Sequence, residues 1–168
     1  MRESPMRNFA LKHWLWLAFA VIVFDHATKF WASAHFVYQE LLPVTDFFSL
    51  VLVHNHGAAF SLLADAGGWQ RWFFIGVGVV ATVVIVRLLK RHATETRMAF
   101  SLALLLGGAL GNVIDRVALG YVVDFLYFHW RDWAFPAFNV ADSAISLGAA
   151  LLVWDSVFRP ADRKAAKA

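Results

Sequence analysis

Cysteine is missing from this chain of 168 residues, so disulfide staples, thiolate catalysis and a lipid-modified cysteine on the chain itself are excluded. Charge is nearly as scarce. Asp, Glu, Lys and Arg make up 16% of the residues against 60% hydrophobic, and the mean hydropathy is +0.58, far too apolar for an ordinary soluble domain of this length. No internal repeat and no low-complexity linker divides the chain, so a single membrane-embedded domain over 1–168 is expected.

What the chain has instead is four apolar segments, roughly 13–33, 70–89, 97–117 and 138–158, each near the ~20 residues of a helical bilayer crossing. The run from Met98 to Ile114 carries no charge. The first and fourth segments carry Asp25, Lys29 and Asp142, which predicts polar faces turned into a bundle interior. Basic residues set the expected orientation. Arg2, Arg7 and Lys12 precede the first span, Arg87, Lys90, Arg91 and Arg97 surround the second-to-third connection, and Arg159, Arg163, Lys164 and Lys167 follow the fourth. With four spans all three clusters fall on one side, which the positive-inside rule makes cytoplasmic for both termini. Trp31, Trp69, Trp72, Trp130 and Trp133 would then mark the outer interface, and Trp14, Trp16 and Trp154 the inner one. The formal charge of +3 follows from this bias and gives no reason to invoke nucleic acid.

The N-terminus imitates a cleavable signal peptide: basic residues, an apolar run from Trp14 to Phe24, then Ala32-Ser33-Ala34. Asp25 and Lys29 interrupt that pattern, and removing the segment would leave an odd number of spans, so it is read as the first transmembrane helix.

The outward loops, 35–70 and 118–137, are expected to be β-rich. Residues 47–54 read as a strand between Pro43/Asp46 and Gly57, and 58–63 as a short amphipathic surface helix stopped by Gly67-Gly68. Tyr121, Val122, Val123, Phe125, Tyr127 and Phe128 favour extended structure in the second loop, ended by Pro136. The fold class is therefore an all-α membrane bundle of four transmembrane helices carrying a small extracytoplasmic β-rich cap.

Two aspartates stand where apolar segments end or begin, Asp124 and Asp142. Asp142 lies 17 positions before Arg159, about 25 Å up a helix and near the outer edge of the hydrocarbon. Asp124, 26 positions after Met98, reaches the same level, and Asp25 sits slightly deeper. Ionisable groups at such depth are costly and point to function. Two carboxylates sharing one proton in a low-dielectric site are the machinery of aspartic proteolysis. The plain alternative is a turn cap at Asp124 and a helix start at Asp142, with Asn139 as N-cap. Different classes remain: a small proton-coupled transporter with a relay through Asp25, Asp124 and Asp142, or an assembly protein whose carboxylates meet a partner's cations. His54, His56 and His129 lack an acidic or cysteine partner at metal-like spacing, and no metal or cofactor is called for. Ser143 with Lys29 permits a Ser-Lys pair only on paper. Gly107 and Gly111, like Gly76 and Gly78, are expected at close helix contacts.

Five blocks in order, Asp25-His26-Ala27-Thr28-Lys29, Asn55-His56-Gly57-Ala58-Ala59-Phe60, Gly107 through Arg116, Val122-Val123-Asp124-Phe125, and Phe135 through Ser143, resemble the lipoprotein signal peptidases, signal peptidase II. The resemblance implies four membrane helices with a β-cradle, and Asp124 and Asp142 as the catalytic dyad of an aspartic endopeptidase. It also implies a bacterial inner-membrane location, diacylglyceryl-modified prolipoprotein substrates cut just before the lipidated cysteine, contact with membrane lipid, and inhibition by cyclic peptides of the globomycin type. Supporting roles fall on Asn112 and Arg116 (orienting Asp124 or substrate carbonyls), Asn139 (supporting Asp142), Asn55 (bonding the substrate backbone), and Asp25 with Lys29 (a structural ion pair). His56 departs from the family pattern, where a small polar residue is expected.

Overall fold

The computed structural model describes residues 5–57 and 67–158. In chain order the elements are α1 (Pro5–His35), β1 (Leu42–Thr45), β2 (Phe48–Asn55), α2 (Trp69–His92), α3 (Thr96–Ala118), β3 (Val122–Trp130), β4 (Trp133–Ala134) and α4 (Val140–Phe158). All four helices are long and apolar enough to cross a membrane. The helix expected at 58–63 lies outside the described residues.

Three of the helices, α1, α2 and α3, run past the apolar segments that define them. α1 begins at Pro5, a residue suited to a first helical turn, and continues through Lys12, because a helix need not stop where hydrocarbon gives way to headgroups. α4 starts two residues later than the apolar run, because Asn139 takes the cap position: its Oδ1 accepts from Asp142 N at 2.9 Å.

α3 is the axle of the bundle and packs on α1, α2 and α4. Glycines make that possible. A Cβ at Gly107 would stand 2.8 Å from Ala18 O of α1, one at Gly108 would strike Ala141 O of α4, and one at Gly111 would stand 2.7 Å from Asp25 Oδ2. Gly78 of α2 likewise abuts Val113. Gly76 does not follow this expectation: a Cβ there meets nothing within 4 Å, because it lies on a face of α2 with no protein neighbour. Away from the cap the core is apolar, with Ala18, Ile85, Leu89, Ala99, Leu102 and Leu106 packed together, and Trp14 Nε1 donates to Ala93 O at 2.8 Å.

At the other end the strands form one antiparallel sheet in the order β1-β2-β3-β4. β2 opposes β3 with Phe48 across from Phe128 and Asn55 across from Val122. The register shifts between Leu50 and Val53, so that Val53 faces Asp124. An irregularity of this kind re-aims side chains. Val122, Val123, Asp124 and Phe125 are all buried, as expected where the sheet rests on the helices. Gly120 turns the chain from α3 into β3 with φ 90, a left-handed conformation that suits glycine. Arg71 closes the same corner, donating from Nε to Arg116 O and from Nη2 to Val117 O, each at 2.8 Å.

A candidate active site at the seam of α3, α4 and the sheet

Asp124 reaches the site from β3 and Asp142 from the first turn of α4, and Asn139 ties them together. Its Nδ2 donates to Asp124 Oδ1 at 2.7 Å, while its Oδ1 accepts the Asp142 backbone N–H. The same Nδ2 lies within reach of Val123 O at 3.2 Å and Asn112 Oδ1 at 3.3 Å. Asn139 is completely buried, so its amide can be satisfied only by these groups.

Each carboxylate has its own amide donor as well. Asn55 Nδ2 donates to Asp124 Oδ2 at 2.9 Å, and its Oδ1 accepts from Gly57 N at 3.0 Å. Asn112 Nδ2 donates to Asp142 Oδ1 at 2.7 Å. These pairings specify the expected roles. Asn112 bonds Asp142 rather than Asp124, because it faces α4 across the seam. Asn139 supports both carboxyls, Asp142 through its backbone as expected and Asp124 through its side-chain amide. Asn55 bonds Asp124 and the turn at Gly57.

Arg116 Nη2 donates to Gly57 O at 2.9 Å and its Nη1 to Asn112 O at 3.3 Å, with the guanidinium 5.1 Å over Phe74. It therefore pins the turn after β2 to α3 and hydrogen-bonds neither aspartate, while its charge acts on both. Asp25 and Lys29 do pair, at 2.7 Å, but the pair belongs to a larger set. Lys29 Nζ also lies 2.8 Å from Asp115 Oδ2 and donates to Asn112 Oδ1 at 3.1 Å. Asp25 Oδ1 accepts from Ala141 N at 2.8 Å, so a carboxylate of α1 satisfies a free N–H in the first turn of α4.

Asp115 is the residue to which sequence reasoning assigned no role. Its Oδ2 also accepts from Val123 N at 3.2 Å, holding the backbone just before Asp124. The available signal was its spacing from Asn112, three residues on and so on the same helical face.

Burial first, then the charge of Asp142, pushes the Asp124 carboxyl up to about 7, against the opposing hydrogen bonds from Asn55 and Asn139. A cavity of about 430 Å³ opens beside the pair, lined among others by Asn55, Asn112, Arg116, Phe138, Asp142 and Ser143. Asp142 fronts this space, while Asp124, 1% exposed, stands behind it. The side chains discounted in the sequence have other uses. His54 stacks on Tyr121 at 4.1 Å, and burial and then His56 hold its imidazole below the ordinary value. His129 Nε2 bonds Ser49 Oγ at 2.8 Å. Ser143 Oγ donates to Asn139 O at 3.0 Å, while Lys29 is taken by two carboxylates, so neither is poised for the other.

The model for Signal peptidase (SPase) II matches residues 17–158. A lipoprotein signal peptidase of Paraburkholderia phytofirmans is 57% identical over 157 residues, covering 94% of this chain and 91% of that protein. One of Cupriavidus necator is 57% identical over 147 residues, covering 86% and 84%. A solved bacterial membrane enzyme, determined by the in meso method at 2.3 Å, superposes with a TM-score of 0.77 at 29% identity, covering 89% of this chain and 93% of that one. These relationships give no support to a transporter, and the chain belongs to the signal peptidase II family, membrane proteases of the aspartic type that process prolipoproteins.

Proposed function

We propose that Asp124 and Asp142 are the catalytic dyad with which this chain cuts signal peptides from diacylglyceryl-modified prolipoproteins, just before the lipidated cysteine. The observation that carries the reading is the shared clamp of Asn139, which binds one carboxylate and caps the helix that presents the other. Two carboxyls so placed titrate as a pair. With Asp124 pushed to about 7, the pair's proton resides there near neutral pH. Asp142, fronting the cavity, takes a proton from water. The resulting hydroxide attacks the scissile carbonyl while Asp124 lends its proton to that oxygen. On collapse of the tetrahedral species Asp142 gives its proton to the leaving amine and the diol hydroxyl returns one to Asp124, so the dyad ends as it began.

The remaining features fit this chemistry. Lys29 places a buried positive charge behind both carboxylates, and Asn55 and Asn112 hold them in fixed orientation. The orientation read from the basic clusters, with both termini cytoplasmic in a bacterial inner membrane, sets the dyad near the outer face. There the substrate's acyl chains stay in lipid while the bond is cut. Cyclic peptides of the globomycin type are expected to compete for the cavity.

The test is cleavage of a diacylglyceryl-modified prolipoprotein by the detergent-purified chain. Asp124→Asn and Asp142→Asn are each expected to lower turnover about a thousandfold or more while leaving the fold intact. The unlipidated substrate is expected to stay uncut. Parental activity in both variants would overturn the assignment.

A further inference from the structure

His26 of α1 has an unusual place beside the Asp25, Lys29 and Asp115 cluster. Its Nδ1 lies 3.0 Å from Ile22 O, and a carbonyl oxygen only accepts, so Nδ1 carries a hydrogen. Its Nε2 is buried and has no hydrogen-bond partner, yet stands 3.6 Å from Asp115 Oδ1. A neutral ring would thus point a bare lone pair at a carboxylate oxygen in a buried place. Two acceptors facing each other without a donor are unfavourable there, and a gap of this length has no room for a bridging water. One proton between Nε2 and Oδ1 removes the conflict. It also balances the cluster, with Lys29 and His26 positive against Asp25 and Asp115.

We infer that His26 is a positioning residue for the proteolytic site, acting through a proton held between its Nε2 and Asp115. Asp115 in turn holds Val123 N, one residue before Asp124, and shares Lys29 with the dyad side of the cluster. Loss of the proton leaves Asp115 drawn away from an imidazole lone pair and the cluster one charge more negative. Both changes weaken the anchoring of β3 and the field that favours dyad ionisation. The charged groups facing the ring are Asp25 and Lys29 on its own helix and Asp115 on α3. Past Lys29 stand Asp124 of β3 and Asp142 of α4, while the Arg116 guanidinium is turned away to Gly57 O.

The inference rests on the dyad reading for its functional consequence, but not for its geometry, so two readouts separate them. In the intact chain labelled with ¹⁵N-histidine in detergent micelles, the His26 Nε2 resonance, assigned by sequential connectivity, is expected to show a bound proton at neutral pH. A bare Nε2 there would overturn the inference whatever the activity. In cleavage assays His26→Ala is expected to lose about tenfold in turnover, the scale of one missing charge-assisted hydrogen bond. His26→Gln, which still donates to Asp115, is expected to recover most of that. Turnover of His26→Ala equal to the parent's would overturn it. A protonated Nε2 combined with active Asp124→Asn and Asp142→Asn variants would instead sink the dyad and leave the geometry standing.

Discussion

α2 and α3 are neighbours of almost equal length, 24 and 23 residues, and they are built on opposite terms. In its most apolar stretch α3 is 61% buried and α2 only 6%. α2 meets the bundle along one side and presents Phe73, Val77, Val80 and Val84 outward, as a helix solvated by lipid does. α3 meets three helices and the sheet, so Gly107, Gly108 and Gly111 bring backbones together, and Asn112, Asp115 and Arg116 satisfy partners on four elements. The lesson is that hydropathy measures fitness for lipid, whereas function sits where a span has given up lipid contact.

The contrast can be broken most severely by adding bulk. Gly108→Leu drives a side chain into Ala141 O and Ile145, and is expected to abolish the native fold, whereas Gly76→Leu, facing open space, is expected to shift the thermal midpoint by less than a few degrees. Thermal melts in detergent decide between them; equal effects would show that α3 tolerates separation from α4.

A second contrast concerns titration. The stretch of α2 from Trp72 to Val84 carries nothing that ionises, whereas Asp124, at the end of the α3 seam, has its carboxyl pushed up to about 7 from an unfolded value of 3.8. A raised pKa means the proton is kept below about 7 and lost above it. With the proposed dyad, cleavage draws on that proton and is expected to fall about tenfold per pH unit on the alkaline side. An initial-rate profile flat to well beyond that point would show that the proton is held elsewhere.

The smallest effect sharpens the comparison from the α2 side. Thr82 Oγ1 is buried with no hydrogen-bond partner, so Thr82→Val is expected to be neutral or to stabilise by less than about 1 kcal/mol. A substantial loss of stability would reveal a polar role for α2.

Much of this molecule was legible in its sequence because the bilayer imposes simple rules. The charge-free run from Met98 to Ile114, the strand near Phe48 and the extended segment from Val122 were read in place, and the order of short blocks carried the family. Asp124 and Asp142 stood out because acids at that depth are rare. The roles of Asn55, Asn112 and Asn139 were not legible, since an amide can face either carboxylate and spacing along the chain does not say which one lies across a seam.

By itself, then, the sequence determined four spans, a β-rich cap and two carboxylates at the ends of apolar segments, since burial of apolar surface and the cost of intramembrane charge act on local stretches of chain. Only the tertiary structure decided that Asn139 clamps Asp124 while capping α4, that Arg116 pins Gly57, and that Asp115 joins Lys29 beside them. Hydrogen bonds and ion pairs depend on distances of about 3 Å, and those distances exist only after helices from remote parts of the chain have packed.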